Sequence, residues 1–354
     1  MPVSVRVATR LQAAWVRRGP LARLLWPLSC LYRLLATLRS RAYVWGLRRA
    51  ERLPCPVIVV GNVVAGGAGK TPTVIATVRA LQAAGEHPGI VSRGYGRSGQ
   101  GVCEVTPGSA ARQVGDEPLL MRLHTGAPVV VGNDRLAAGR ALLARHPEVT
   151  VIVCDDGLQH PRLARDIEVL VFDERGIGNG WWLPAGPLRD DAGRRADLVL
   201  YNAPAPSTAR PGWLARRTLG PAIALSAWWA GARTGQPLPA LAGRRVLAVA
   251  GIAHPQRYFG MLRAAGVSVE TLALADHHAY TEAPWAGHPA EVVLLTEKDA
   301  VKLPPGSALA GDPRLHVVAL DFEPDPHYHL ALQRLLQGVR AAKAAQEDRQ
   351  WTPD

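Results

Sequence analysis

The chain has 354 residues, of which 48% are hydrophobic and 20% are charged. We expect a globular protein with a large core, and the length favours two domains over one. The net charge is +12, but residues 1–53 hold eleven Arg and one acid and so carry +10 of it. The positive charge is thus confined to one basic segment on a nearly neutral body, which argues against a protein whose whole surface binds nucleic acid. The four cysteines lie far apart with no C-x-x-C pair, which excludes a zinc cluster and favours reduced thiols in a cytosolic protein.

Leucines at i, i+3, i+4 and i+7 spacing follow the Arg-rich start and predict an amphipathic helix. Arg23, Arg33 and Arg39 interrupt the apolar run, so we expect no transmembrane helix. Pro27 should kink or split the helix. Residues 1–48 therefore favour a basic amphipathic helix on an anionic membrane surface. The alternative is a helix packed on the domain with a solvated Arg face.

Residues 57–60 (Val-Ile-Val-Val) predict a buried strand, and residues 73–84 have apolar side chains at helical spacing. The loop between them reads Gly-Asn-Val-Val-Ala-Gly-Gly-Ala-Gly-Lys-Thr-Pro. Strand, glycine-rich loop, Gly-Lys-Thr and helix are typical of a phosphate-binding loop. The usual pattern has Gly where this chain has Val64, so the alternative is an ordinary glycine-rich turn.

Each residue type in this loop suits nucleotide binding. Gly66, Gly67 and Gly69 let backbone N–H groups point at an anion. Lys70 can reach the outer phosphates of ATP, and the Thr71 hydroxyl can bind Mg²⁺. The chain has 37 Arg and only four Lys, so a lysine retained at position 70 supports the functional interpretation.

A second strand ends in a glycine-rich loop that carries the donors Ser92, Arg93 and Tyr95. Asp116 and Glu117 then begin a predicted helix. Acids are favoured at helix N-termini, so simple capping is the alternative role for both.

Residues 149–160 (Val-Thr-Val-Ile-Val-Cys-Asp-Asp-Gly-Leu-Gln-His) form an apolar run that ends in Asp155 and Asp156. Carboxylates at the end of such a strand can hold Mg²⁺ beside bound phosphates. The alternative is a strand-terminal turn, since Asp-Gly is common there.

Strand and helix patterns alternate through the rest of the chain and predict parallel sheets. We expect an α/β fold of two α/β/α sandwich domains, the first of P-loop NTPase type, with an N-terminal basic amphipathic helix. The predicted boundaries are a membrane-associating segment at residues 1–48, a kinase domain at 49–206, a linker at 207–240 and a second domain at 241–354.

Together these motifs resemble the tetraacyldisaccharide 4′-kinases, the lipid A kinases of Gram-negative bacteria, over nearly the whole chain. The resemblance rests on the segments Gly61 to Pro72, Ser92-Arg-Gly-Tyr-Gly96, Gly115-Asp-Glu-Pro118, Gly132-Asn-Asp-Arg135, Asp155-Asp-Gly-Leu-Gln-His160, Leu183-Pro-Ala-Gly-Pro-Leu-Arg189, Asp276-His277 and Thr296-Glu-Lys-Asp299.

The resemblance implies transfer of the ATP γ-phosphate to the 4′-hydroxyl of a tetraacylated glucosamine disaccharide 1-phosphate, giving lipid IVA. It implies a peripheral protein on the cytoplasmic face of the inner membrane, which we expect to be a monomer. It also implies that Asp116 accepts the hydroxyl proton with the help of His277. The other residues it places in the site are Lys70, Thr71, Asp155, Asp156 and His160 around MgATP, with Ser92, Arg93, Tyr95, Glu117, Arg135, Arg189 and Asp190 nearby.

Two positions depart from the family pattern. Asp190 follows Arg189 where the family usually has Glu, which shortens the reach of the acid. His278 follows His277, so the ring that meets Asp116 is left open, and we favour His277.

Two other function classes are consistent with a phosphate loop. A GTPase or metal chaperone would need Asn-Lys-x-Asp or Thr-Lys-x-Asp for guanine, and residues 296–299 have these residue types in the wrong order. A non-catalytic ATPase adaptor at the membrane would bind ATP without phosphorylating a lipid.

Overall fold

The computed structural model describes residues 14–350. The described chain divides into two compact units. The first unit comprises the residues up to Arg93, Ala127–Arg216, and the residues from Glu323 onward. The second unit comprises Gly94–Gly126 and Arg217–Phe322. Residues 1–13, the first part of the basic segment predicted at residues 1–48, and the last four residues lie outside the described part of the chain.

The strands are β1 Val57–Gly61, β2 Pro88–Ser92, β3 Cys103–Val105, β4 Val129–Val131, β5 Val151–Asp155, β6 Ile167–Asp173, β7 Leu198–Asn202, β8 Trp213–Ala224, β9 Val246–Ala250, β10 Val269–Ala273, β11 Val292–Thr296 and β12 Leu315–Pro324. The α-helices are α1 Pro20–Val44, α2 Lys70–Ala83, α3 Ala111–Val114, α4 Asp116–Thr125, α5 Arg135–Arg145, α6 Leu225–Trp229, α7 Pro255–Ala264, α8 Glu297–Ala300 and α9 Pro326–Gln350. Two 3₁₀ turns lie at Leu238–Leu241 and Ala308–Gly311.

The first unit contains a parallel sheet in the order β7-β6-β1-β5-β2-β4. The start of β8 adds to β7 in the same direction. The strands β1, β2, β5 and β7 are buried along their whole length, as expected for a parallel sheet that is covered on both faces. The core of this unit is built from Val, Leu and Ile side chains of these strands together with Phe172 and Tyr201.

The second unit has its own parallel sheet, in the order β10-β9-β11-β12. Its separate core packs Phe259 and Leu262 of α7 against Ala248 of β9 and Leu294 of β11. The prediction of an α/β protein with parallel sheets in both halves is confirmed.

The predicted strand at residues 57–60 occurs as β1, the predicted helix at 73–84 as α2, and the apolar run before Asp155 as β5. Two strands lack such a signal: β3 is only three residues long, and β8 covers twelve residues of the predicted linker. In β8 exposed, partly buried and buried residues are mixed, and Arg216 and Arg217 interrupt the apolar pattern of its sequence. The strand therefore lacks the apolar run by which the other strands are recognised.

The two units differ from the contiguous domains predicted from the sequence. Residues 94–126 belong to the second unit, because His124 bonds to Glu297 and Lys298 bonds to Glu117. The C-terminal helix α9 belongs to the first unit, where Leu332 and Leu336 are buried. Sequence order alone could not indicate these assignments, since each depends on contacts between distant segments.

The N-terminal helix α1 is continuous through Pro27, so the predicted split does not occur. One side of α1 contacts the first unit, where the buried Ser29 hydroxyl accepts a hydrogen bond from the backbone of Ala185 (2.9 Å). Trp26 of α1 also lies against Trp181 of the first unit, with ring centroids 6.4 Å apart. Seven leucines of α1 are exposed, interspersed with exposed arginines such as Arg23, Arg33 and Arg39. By length and composition the helix could also cross a membrane.

A buried hydrogen bond joins α9 to the helix that follows the phosphate loop. The hydroxyls of Thr77 in α2 and Tyr328 in α9 are 3.2 Å apart, and both residues are fully buried. We expect Tyr328→Phe to lower the free energy of unfolding by about 1 kcal/mol, because the Thr77 hydroxyl loses this partner. Urea unfolding followed by circular dichroism measures the change. Tyr95→Phe, at an exposed tyrosine, is the control, and equal midpoints for both variants would contradict the expectation.

Candidate active site

Five neighbouring parallel strands of the first unit end in buried polar side chains. Asn62 directly follows β1, and the other four are the last residues of their strands: Ser92 of β2, Asp155 of β5, Asp173 of β6 and Asn202 of β7. Parallel strands present their carboxyl ends at one edge of a sheet, which is where α/β proteins bind ligands. Apart from Glu168 near the start of β6, the rest of these strands is apolar, so the polar edge marks a candidate binding site.

The predicted phosphate loop connects β1 to α2 at this edge. Gly66 and Gly69 have φ of 92° and 88°, which a residue with a side chain rarely adopts. A Cβ at Gly69 would also lie 1.7 Å from the Asn202 amide nitrogen, and that nitrogen bonds to the carbonyl of Ala68 (3.2 Å). Gly66 and Gly67 are exposed, so the loop is accessible to an anion. The glycines are therefore required by geometry at two of the three predicted positions.

Lys70, in the first turn of α2, lies beside two of the polar groups. Its Nζ donates to Asn62 Oδ1 (3.2 Å) and is 3.8 Å from Asp156 Oδ1. Arg189 contacts the same two residues: its Nη1 donates to Asp156 Oδ2 (3.1 Å), and its Nε donates to the Asn62 carbonyl (3.3 Å). Two cations therefore converge on one carboxylate and one amide.

The Asp156 carboxylate is held in its ionised form. Burial opposes ionisation, but the charges of Lys70 and Arg189 outweigh it and lower the pKa of Asp156 to about 2. Asp156 has a φ of 51°, an unfavourable backbone conformation for a residue other than glycine. Such strain clusters at functional sites, where the surrounding structure enforces it.

The other predicted metal ligands are Asp155 and Thr71. Asp155 is buried and accepts a hydrogen bond from the Ser92 hydroxyl (2.8 Å). Thr71 is half-buried in the first turn of α2. Within residues 14–350, no group of three or more His, Cys, Asp or Glu could hold a metal ion by itself. Hydroxyl and carboxylate oxygens are nonetheless the donors that Mg²⁺ prefers, and Mg²⁺ is usually completed by substrate phosphates and water.

Three further predicted residues lie in segments next to Asp155 and Asp156. Arg135 is buried and donates to the backbone carbonyl of Asp156 (3.4 Å). His160 lies 3.5 Å from Asp134, and burial together with the charge of Arg135 lowers its pKa. Asp190 is 3.0 Å from Arg194. Arg93, by contrast, is exposed on the surface.

Two residues of this site were not predicted from the sequence. Asn62 accepts hydrogen bonds from Lys70 and Arg189, as described above. Arg175 donates to the carbonyl of Gly67 in the phosphate loop (3.0 Å) and pairs with Asp173 (2.9 Å). The polar residue that directly follows the strand is a signal that could have identified Asn62. Arg175 has no comparable local signal, because its partner in the loop is more than a hundred residues away.

The second unit contains the other predicted pair. Asp116, the first residue of α4, is buried, and His277 lies in the loop after β10. The His277 Nδ1 donates to Asp116 Oδ2 (2.9 Å), and Asp116 Oδ1 accepts from the backbone of Glu117 (2.9 Å). Of the two adjacent histidines, His277 is therefore the one that meets Asp116. His278 has a buried Nε2 without a hydrogen-bond partner.

Asp116 and His277 stabilise each other's charged forms. Burial alone would raise the pKa of Asp116, but the hydrogen bond from His277 and the charge of Lys298 lower it below its ordinary value. The hydrogen bond to Asp116 raises the pKa of His277, against the effect of burial. His277 has a φ of 58°, and its ring centroid lies 5.5 Å from that of Tyr95, another predicted site residue, with the two rings tilted by 52°. The pair is thus a carboxylate and an imidazole held in one fixed geometry.

The model for the family described as tetraacyldisaccharide-1-P 4′-kinase matches residues 21–338 of this chain. The tetraacyldisaccharide 4′-kinase of Methylibium petroleiphilum is 53% identical over 329 residues, which is 91% of this chain and 92% of the relative. The tetraacyldisaccharide 4′-kinase of Herminiimonas arsenicoxydans is 44% identical and covers 96% of this chain and 99% of its own length. The chain belongs to the tetraacyldisaccharide 4′-kinase family.

A solved structure supports the same assignment. LpxK from Aquifex aeolicus, crystallised in complex with ATP, superposes with a TM-score of 0.74 at 27% sequence identity. The match covers 90% of this chain and 99% of that one. The prediction of the family is confirmed, and the protein is a kinase of lipid A biosynthesis.

The geometry of the phosphate loop makes a test of ATP binding by this kinase possible. In Gly69→Ala the new Cβ would collide with Asn202, and the loop would have to move. We expect ATP affinity to fall at least about tenfold, equivalent to about 1.4 kcal/mol, as measured by isothermal titration calorimetry.

Gly85→Ala is the matched control, because Gly85 follows the other end of the same helix with a φ of 82° and has no atom within 4 Å of an added Cβ. Both variants carry similar backbone strain, but only the first disturbs the loop. Equal ATP affinity in the two variants would show that the loop geometry does not determine binding.

Proposed function

We propose that this protein transfers the γ-phosphate of ATP to the 4′-hydroxyl of tetraacyldisaccharide 1-phosphate, giving lipid IVA, and that Asp116 accepts the hydroxyl proton. The bond that forms joins the 4′-oxygen to the γ-phosphorus. The bond that breaks joins that phosphorus to the bridging oxygen of ADP. Phosphoryl transfer of this kind depends on positioning and on charge neutralisation more than on covalent catalysis.

The donor side of the reaction is assigned to the phosphate loop. Backbone N–H groups from Gly66 to Gly69 and the N-terminus of α2 would bind the phosphates of ATP. Lys70 would exchange its contacts with Asn62 and Asp156 for the outer phosphates and neutralise their charge. Thr71, Asp155 and Asp156 are the residues that would hold Mg²⁺, which supplies further charge neutralisation at the phosphates when it is bound.

Arg189 and Arg175 have supporting roles in this proposal. Arg189 keeps Asp156 ionised and oriented, so the carboxylate is ready for the metal ion before nucleotide binds. Arg175 bonds to a carbonyl of the phosphate loop, which fixes the loop while its N–H groups remain available for phosphate. Both roles reduce the reorganisation needed when ATP enters, and a preorganised polar site is the main source of electrostatic catalysis.

The acceptor side is assigned to the pair Asp116 and His277. A carboxylate that is ionised at neutral pH can accept a proton from a hydroxyl within hydrogen-bond reach. His277 donates to one oxygen of this carboxylate and fixes its orientation. The hydrogen bond of 2.9 Å between these two residues, on a buried carboxylate, is the single observation that carries the assignment.

The proposal predicts the effect of neutralising the base. We expect Asp116→Asn to lower kcat for lipid phosphorylation by about 10²–10⁴-fold, because general base catalysis is lost while the shape of the side chain is kept. Transfer of ³²P from γ-labelled ATP to the lipid measures kcat, and calorimetry measures ATP affinity.

ATP affinity should stay unchanged in this variant, because Asp116 is not one of the residues assigned to nucleotide binding. Asp191→Asn, at an exposed aspartate, is the control and should retain activity. Normal lipid phosphorylation by Asp116→Asn would remove Asp116 from the mechanism.

The N-terminal helix is assigned to membrane docking, on the cytoplasmic face of the inner membrane. A lipid with four acyl chains stays in the bilayer, so the enzyme has to approach the membrane surface. Leu24, Leu28 and Leu35 are each more than half exposed on α1, which would be unfavourable for a helix surrounded only by water. Arginines of the same segment can pair with anionic head groups, each contributing about 1 kcal/mol. Together these features suit a peripheral helix at an anionic surface.

Membrane docking through this face predicts a loss of vesicle binding in Leu24→Gln/Leu28→Gln. Burial of one leucine contributes about 1.5–3 kcal/mol, so we expect partitioning to fall at least tenfold on vesicles that contain anionic lipid. Co-sedimentation measures the bound fraction. The control is Leu214→Gln/Leu330→Gln, which changes two exposed leucines outside α1. Equal binding of the two double variants would exclude this face as the docking surface.

A further inference from the structure

Two of the four lysines in this arginine-rich chain lie four residues apart: Lys298 is in the short helix α8, and Lys302 is in the turn that follows it. Their segment begins with Thr296-Glu-Lys-Asp299, to which the sequence assigns no role. Both side chains are largely buried, at 19% and 9% exposure. A lysine is seldom buried without a carboxylate partner, so each of them should have a specific one.

Lys302 lies between two carboxylates. Its Nζ is 3.3 Å from Asp299 Oδ1 and 3.8 Å from Asp116 Oδ2. The oxygen of Asp116 that faces Lys302 is also the one that accepts the hydrogen bond from His277. Lys302 therefore contacts the buried carboxylate from a second direction.

Lys298 joins the two segments that carry the pair. Its Nζ donates to Glu117 Oε1 (2.9 Å) and is 3.7 Å from Asp276 Oδ1. Glu117 follows Asp116 in the sequence, and Asp276 precedes His277. One ammonium group thus connects the start of α4 to the loop after β10, and these carboxylates raise the pKa of Lys298 against the effect of burial.

Asp299 fixes the position of the turn. Its carboxylate accepts hydrogen bonds from the Thr296 hydroxyl (2.6 Å) and from the backbone N–H of Gly251 (3.2 Å), and it is fully buried. A Cβ at Gly251 would lie 2.9 Å from the same carboxylate, so the backbone approaches Asp299 closely. The backbone segment that carries the two lysines is therefore held in a fixed position.

We propose that Lys298 and Lys302 are positioning residues, which hold the Asp116–His277 pair in its reactive geometry and keep a positive charge beside the Asp116 carboxylate. This inference rests on the proposed role of Asp116 as the base. It assigns the Thr296-Glu-Lys-Asp299 segment to support of the base and not to nucleotide recognition.

The positive charges have a defined consequence for protonation. The charged or titratable groups around Asp116 are His277, Lys298, Lys302 and, one contact further away, Glu117, Asp276, Asp299, Tyr95 and Tyr280. A cation beside the pair lowers its affinity for protons, whichever of its two members takes the proton. Loss of either lysine should therefore move the acidic limb of the pH profile to higher pH.

The test compares Lys302→Met and Lys298→Met with the wild-type enzyme, using kcat/KM for lipid phosphorylation between pH 5 and pH 9. Each Met variant should move the acidic limb upward by about one pH unit, the lower end of the range for removal of a nearby opposite charge. The KM for ATP should not change. Lys302→Arg retains the charge, so it should keep the acidic limb at the wild-type pH even if its kcat is reduced.

Lys343→Met is the control, because Lys343 pairs with Asp166 in the first unit (3.2 Å) and should leave the profile unchanged. Circular dichroism verifies folding, and the more exposed Lys298 supplies the second variant if Lys302→Met fails to fold. A folded Met variant with an unshifted acidic limb overturns the inference. Asp116→Asn, assayed in parallel, separates the two proposals, since full activity there would overturn the role of Asp116 itself.

Discussion

The constraint on which the first unit depends is that buried polar groups must find partners. Five parallel strands have apolar interiors and end in polar residues, and none of these residues is exposed enough to rely on bulk water. Most of their polar atoms bond to one another, to neighbouring cations or to a backbone carbonyl. Asp156, which directly follows β5, is held in a similar way, because Lys70 and Arg189 outweigh the effect of burial and keep its pKa at about 2. A network of this kind is stable before ATP arrives, and it already has the charges and donors that a triphosphate requires.

The second unit applies the same principle to a single carboxylate. Asp116 is buried at the start of a helix, where the backbone of Glu117 and the imidazole of His277 bond to its two oxygens. Lysines from a third segment surround this pair with positive charge. The contacts involve residues from near positions 116, 277 and 300, which are joined only by the fold. The arrangement of this pair therefore depends on tertiary packing and not on one continuous segment of sequence.

That difference explains how much could be predicted from the sequence. Apolar runs identified most strands, and the Gly-Lys-Thr segment predicted a phosphate loop between β1 and α2, because both signals are local. The mixed pattern of β8 concealed a strand of twelve residues. The unit assignments of residues 94–126 and of α9 were also hidden, since they depend on pairs such as Thr77 with Tyr328. Arg175 and Lys302 were missed for the same reason. The choice of His277 came from resemblance to a family, and the contact with Asp116 gives it a physical basis.

ATP that binds at the phosphate loop should phosphorylate a lipid. The most direct measurement incubates the purified wild-type protein with γ-labelled ATP, Mg²⁺ and tetraacyldisaccharide 1-phosphate in mixed micelles. We expect label on the lipid at its 4′ position, with one ADP formed for each phosphate transferred. Formation of ADP with only free phosphate, or binding of ATP without any labelled lipid, would contradict this expectation.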